Sequence, residues 1–553
     1  MKKNRLFGTL LVCTLVLSAC GGSKDAATGS TDNAGGGSTE QVFNKAVQQE
    51  MSTADLSLAT DTISFSVLNN VYEGLYRLDA DSQPQPAGAA EMAEISEDGL
   101  VYKLKLREDA TWSNGDPVTA ADYVYGWQRT ADPETGSEYA YFYEKVANGP
   151  DVITGDKPVT DLGIKAIGDY ELEITLEAAT PYFPYFLAFP SFFPQHQATV
   201  EEFGDDYAKT SENAIYNGPF VLDNFDGPGV DTDWSYVKND KYWDAETVQL
   251  DTINVSVIKE ASTAYNLFED GQMQDVILTG ELAQQMANDP EFVSQKEATS
   301  YYIELNQIEE DSPFRNVNLR KAISYAIDRD ALVTQILGDG SVASVGLVPE
   351  AMSFNPETGE DFSKDVGVKV EHDVEKAQEY WEKAKAELGI DSLQFELMSS
   401  DTDSTKKMTE YIQGVLQENL EGMTVKLSPV PLSVRIDRGN KGDFDILLGG
   451  WGADYADPSS YSDLFVTGNS YNRGRWSNEE YDVLVKDAAV KNANDPVARW
   501  QNLIDAEKVM LDQLGVIPVY QKAEGHMRAT NLKGIVAHAA GAQYDYKWAY
   551  IEE

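Results

Sequence analysis

Residues 86–129 read PAGAAEMAEISEDGLVYKLKLREDATWSNGDPVTAADYVYGWQR. Ser96-Glu97-Asp98-Gly99 has the composition of a tight turn. From Val101 to Arg107 apolar and basic residues alternate, as they do in a half-buried strand. Ser113-Asn114-Gly115-Asp116 makes a second turn, and Thr119 is then placed to cap a helix that carries Val124 and Trp127 inward. The same alternation returns at Asp169–Glu177, with acids outward, and at Leu250–Ile258. Asp373 is the expected N-cap of a helix whose Ala377, Trp381, Ala384 and Leu388 share a face and which Gly389 stops. A second long helix is expected over Arg320–Leu337, with Ala322, Tyr325, Ala326 and Leu332 buried. Strands and helices mixed without regular alternation imply an α/β (mixed α+β) fold rather than a barrel.

The chain has 553 residues, which at about 150 per domain suggests three to four domains. With 42% hydrophobic residues it can bury a large core. Its formal charge of −49 excludes the cationic footprint that nucleic acid requires. The start, Met-Lys-Lys-Asn-Arg, is followed by an apolar run from Leu6 to Ala19, too short for a bilayer span and suited to a leader peptide. Leu17-Ser18-Ala19-Cys20 looks like a bacterial lipobox, in which Cys20 is diacylated and becomes the new N-terminus. Two acyl chains anchor a protein stably where one does not. Cleavage of residues 1–19 removes Lys2, Lys3 and Arg5 and takes the charge three units further, to −52. Residues 20–40 are the lipidated Cys and a Gly/Ser/Thr/Ala-rich flexible tether. The expectation is an extracytoplasmic protein, lipid-anchored to a Gram-positive-type cell membrane.

Catalytic signatures are few. The chain holds no His-Glu-x-x-His, no Gly-x-Ser-x-Gly and no Walker A run. Its two Cys leave no basis for a disulfide scaffold, and His196, His372, His526 and His538 lack metal-ligand spacing. No cofactor and no metal are expected. With 92 acidic residues, a pair of carboxylates placed for hydrolysis stays open, so a secreted hydrolase remains an alternative.

The segment 86–129 closely resembles the signature of the family 5 extracellular solute-binding proteins. Similar blocks follow at Lys157–Ile167, at Tyr216–Phe220 with Lys241-Tyr242-Trp243, and at Phe314–Arg329. The likeness covers nearly everything after residue 41 and lies nearest the oligopeptide-binding branch, which serves peptide ABC importers. It implies a clamp of two large lobes with an appended third subdomain (class C, type II). Lobe I would comprise 41–72, 197–300 and 521–553, the appended subdomain 73–196, and lobe II 301–520. The receptor would act without catalysis as a monomer, take oligopeptides between the lobes, and deliver them to permease subunits. A signalling peptide, dipeptide, oligosaccharide or nickel chelate is the alternative ligand within the family.

A receptor for many peptides must hold what all peptides share: a backbone, an α-ammonium, and at times an α-carboxylate. Within Gly450-Trp451-Gly452-Ala453-Asp454, the resemblance assigns Asp454 to the ammonium. It assigns the main chain of Gly450, Trp451 and Gly452 to the peptide backbone, the mode of an added strand. Thr60, Asp61 and Thr62 match the opposing segment, Tyr139 and Tyr302 match pocket aromatics, and Glu304 matches a pocket acid. Positions where enteric relatives place a cation and another ligand contact fall here at Leu448 and Leu432. C-terminal capture through these positions is therefore not expected, and an open cleft suited to longer or more apolar peptides is.

Overall fold

The computed structural model describes residues 41–552. The expected leader 1–19, Cys20 and the tether 20–40 lie outside the described residues. Elements used below are β1 (Val42–Val47), α1 (Thr62–Val71), β2 (Val101–Lys105), α2 (Ala120–Ala131), β3 (Phe292–Leu305), α3 (Leu432–Asn440), β4 (Ile446–Gly452) and β5 (Val516–Arg528).

An eleven-stranded mixed sheet organises the molecule. One wing holds strands 220–223, 233–238, 252–257, β1 and 275–278; the other holds 423–430, 393–400 and β4. Both wings hang on β3 and β5, strands of 14 and 13 residues that pair antiparallel through the middle. Phe292–Lys296 of β3 face Ala523–Met527, on the part of β5 that pairs with 275–278. Thr299–Leu305 pair with β4 on one side, while Ser300–Glu304 stay paired with Val516–Gln521 of β5 on the other. The ladder slips between Lys296 and Ser300, so each long strand bends as it passes from one wing to the other.

A separate four-stranded sheet, in the order 94–95, β2, 171–175, 164–168, lies within residues 73–196. Here β2 and α2 form as the turn and cap residues direct. Thr119 and Asp122 close a capping box, and the buried Trp127 donates its Nε1–H to the Phe192 carbonyl at 2.8 Å. The inward face of α2 is Tyr123, Trp127 and Thr130, with Val124 only half-buried.

The Asp373-capped helix runs Val374–Leu388 and ends at Gly389 in the left-handed region, φ 69°. The expected helix Arg320–Leu337 is broken. One helix covers Val317–Ala326, and a new turn starts at Arg329 and continues as a π-helix over Leu332–Leu337. The cause is local: Asp328 accepts from Ala331 N–H at 2.9 Å and caps a fresh start. The buried Arg329 also turns inward, its Nε donating to the Pro518 carbonyl at 2.8 Å.

Candidate ligand-binding cleft

The cleft lies where β3 and β4 meet the start of α1. Asp61 caps α1, accepting from Ser64 N–H at 2.9 Å and from the Ser52 hydroxyl, and so holds Thr60, Asp61 and Thr62 against the cavity. On the other wall, Tyr301 pairs with Gly450, Ser300 with Trp451 and Thr299 with Gly452. A Cβ at residue 450 would stand 2.9 Å from the Tyr301 ring, and one at 452 would stand 3.1 Å from Thr299 Oγ1. A side chain at 450 would push against Tyr301, and one at 452 would crowd Thr299 and Thr62.

The outer edge of β4 is paired with strand 393–400 at Ile446 and Leu447 alone. From Leu448 to Gly452 that edge has no ladder partner among the described residues. The Trp451 carbonyl is turned toward β3, where the Tyr461 hydroxyl donates to it at 2.9 Å. Carbonyls alternate along a strand, so those of Gly450 and Gly452 face the open edge. An extended peptide can add there by main-chain hydrogen bonds.

Asp454 closes one end of this edge. It is buried, and the Tyr139 hydroxyl donates to its Oδ1 at 3.0 Å. Its Oδ2 is shut off from solvent with no hydrogen-bond partner. No Lys, Arg or His nitrogen among the described residues makes a salt bridge to it. Burial pushes its carboxyl well above the usual carboxylate range, with the Tyr139 hydrogen bond pulling the other way. The surroundings are aromatic. Tyr139 stacks on Trp451 at 6.1 Å and 15°, and Tyr471 meets Trp451 edge-on at 4.6 Å. This is a dry carboxylate with a free oxygen, placed for a cation.

Of the expected site residues, the cavity brings together Thr60, Asp61, Thr62, Tyr139, Gly450, Trp451, Gly452 and Asp454. Tyr302 and Glu304 are not on its wall. Tyr301 lines the cleft, whereas Tyr302 points to the other face of β3 and packs edge-on against Phe465 at 5.6 Å. Glu304 shares that rear face, buried 3.5 Å from Arg473 Nη1. It is salt-bridged there to Arg473, which does line the cleft. Leu448 is buried in the core of its own wing, while Leu432 lines the cavity.

Residues not anticipated from sequence complete the wall: Glu297, Tyr301, Arg435, Arg473, Lys522 and Gln543. Glu297 and Lys522 face each other at 2.9 Å across β3 and β5, and Gln543 donates to Glu297 at 2.6 Å. An adjoining cavity shares Thr62, Tyr301, Lys522 and Gln543 and extends the cleft past Lys45, Glu524 and His526.

Residues 83–473 match the family model of the bacterial extracellular solute-binding proteins, family 5 middle. The chain belongs to this family. Its relatives include a dipeptide-binding protein of Lactococcus lactis, 33% identical, with 100% of each chain covered. Listeria monocytogenes OppA bound to peptide superposes with a TM-score of 0.90 at 41% identity, covering 93% of this chain and 100% of that one. The pheromone receptor PrgZ gives 0.89 at 40% identity, over 93% of this chain and 100% of its own. The fold is thus that of the OppA-type binding proteins. The unliganded open form of the murein tripeptide-binding protein MppA gives 0.60, against 0.83 for the Escherichia coli MppA structure, both at 26% identity. At equal identity, this chain is thus less similar to that open form than to the other MppA structure.

Proposed function

We propose that this chain is an extracytoplasmic receptor that takes oligopeptides in the cleft and hands them to an ABC importer for uptake. The observation that carries the reading is the Asp454 carboxylate, buried with Oδ2 unpartnered beside the open edge of β4. An α-ammonium supplies the missing partner, and the adjoining Gly450 and Gly452 main chain takes the backbone that follows it. Neither contact reads a side chain, so many sequences fit. The names of the relatives, dipeptide-binding and peptide-bound oligopeptide-binding proteins, agree with this chemistry.

The two wings of the sheet correspond to the lobes: 41–72, 197–300 and 521–553 against 301–520, with 73–196 appended, and β3 and β5 as the hinges. Cys20 carries the lipid anchor, and among the described residues no helix is long and apolar enough to cross a membrane. The receptor works as a monomer without catalysis.

A narrower reading, capture of an apolar signalling peptide, draws support from the lining by Phe65, Leu432, Ile436 and Trp451 and from the likeness to PrgZ. Titration calorimetry of the protein, freed of ligand by unfolding and refolding, tests the general reading with tetra-alanine and a neutral tetrasaccharide. Heat from the peptide alone is expected. Heat from the sugar alone would refute it, since a sugar has no ammonium for Asp454.

A further inference from the structure

The same cleft carries a guanidinium, Arg435, that no carboxylate among the described residues pairs directly. Leu432, Arg435 and Ile436 share one face of α3, at i, i+3 and i+4, and all three line the cavity. Arg435 makes no salt bridge within 4.0 Å and no side-chain hydrogen bond among the described residues. Its Nε is closed to solvent and unpartnered. The guanidinium lies against the main chain of β4, for a Cβ at residue 449 would stand 2.6 Å from Nη1.

The ionisable groups that bear on it are Arg473, Tyr301, Glu304 and Tyr302. Arg473 is provided for: its Nη1 is 3.5 Å from Glu304, and its Nε donates to Asn440 Oδ1 at 2.8 Å. Asn440 in turn donates to Glu138. Arg435 has no such partner. Burial and the neighbouring Arg473 make its charge harder to hold, yet a guanidinium remains ionised in proteins. A desolvated cation without a counter-ion is destabilising until an anion arrives.

We propose that Arg435 forms a carboxylate-binding subsite of the cleft, receiving either the C-terminal carboxylate of a short peptide or an acidic side chain of a longer one. This rests on the peptide-receptor reading above. The planar fork offers paired N–H donors to both carboxylate oxygens, and Leu432 and Ile436 beside it exclude water. The positive charge lacking at Leu432 and Leu448 therefore enters the cleft from one helical turn beyond Leu432. The cleft holds an anion in a chain whose overall charge is strongly negative.

The test is a binding series on ligand-free protein with penta-alanine, its C-terminal amide, and five pentapeptides with a single Glu at each position, each against its Gln counterpart. Di-, tri- and tetra-alanine with their amides complete the set. Wild type should prefer one carboxylate at least tenfold over its neutral match. A preference for acid over amide identifies the C-terminus, and a preference at one Glu position identifies a side chain. Arg435→Gln should bring that ratio to within about threefold, and Arg435→Lys should restore part of it. Each ratio is taken within one protein, so partial loss of folded variant does not alter it. Wild type showing no carboxylate preference at any position or length overturns the subsite, as does a preference that survives Arg435→Gln. If no peptide of the set, acidic or neutral, binds wild type, the peptide reading itself has failed, and the subsite falls with it.

Discussion

Replacing Asp454 by Asn removes a charge while keeping the shape and an acceptor for the Tyr139 hydroxyl. Asp454 Oδ2 has no protein partner and Oδ1 has a neutral one, so the ligand ammonium would be the only cation it meets. Removing one member of such a desolvated pair costs about 3–5 kcal/mol. At about 1.4 kcal/mol per decade this is two to four decades in Kd. The measurement is calorimetric titration of both proteins with tetra-alanine and N-acetyl-tetra-alanine. Wild type should discriminate strongly against the acetylated peptide, and Asp454→Asn should scarcely distinguish the two. Because burial raises the Asp454 carboxyl, binding of the ammonium must ionise it. Wild-type affinity should therefore climb as pH rises through that raised value, then turn down above about 8, where the ligand α-amine loses its proton. The climbing limb should vanish in the variant. A folded carboxyl whose pKa exceeds its unfolded value loses stability as pH rises past the unfolded value, so ligand-free Asp454→Asn should melt slightly higher than wild type at neutral pH. Equal affinity of wild type for free and acetylated peptide would refute the reasoning.

The contacts between the two wings can be probed in the same way. Lys259, which follows strand 252–257, reaches Glu50 and also Asp401 beyond strand 393–400, each at 2.8 Å, and so ties one wing to the other. Each partly exposed bridge is worth about 0.2–1 kcal/mol. Only the Asp401 bridge joins the wings, so Lys259→Ala should weaken peptide binding about 1.4- to 5-fold, with the difference shrinking as salt is raised. On β5, His526 lies between Asp275 at 2.6 Å and Glu524 at 3.0 Å, and these carboxylates raise its pKa against the opposing effect of burial. The stability that the imidazolium contributes is fully present below about 6.5, its unfolded value, and is lost as pH climbs through the raised folded value. Thermal melts should show that loss in wild type, and His526→Gln should lack that dependence.

The parts of the fold that could be read from sequence are those whose signal is local. Val101–Lys105 alternates, Thr119 has a partner in Asp122 three residues on, and Gly389 stands where a helix must stop. The break in the helix expected over Arg320–Leu337 has no local signal, because in sequence Asp328 is one solvated acid among many and only the fold turns its carboxylate onto Ala331 N–H. In the cleft, Gly450–Asp454 and Thr60–Thr62 are contiguous runs, and every residue of the two but Ala453 lines the cavity. Tyr302 and Glu304 rest on the resemblance alone; Tyr301 takes the cleft side of β3, and its neighbour Tyr302 and Glu304 two residues on share the other face. Lys522 and Gln543 come to the cleft through pairings and contacts more than two hundred residues long in sequence. Arg435 carries only a weak sequence signal, its i+3 spacing from Leu432 on one helix face.

Native mass spectrometry of the protein, residues 21–553, purified without denaturation and followed by sequencing of what is bound, tests the receptor reading most directly. A series of co-purified peptides with free amino termini, greatly depleted in Asp454→Asn, is the predicted result. A clean ligand-free mass, a single non-peptide adduct, or peptides bound equally by both proteins would contradict it.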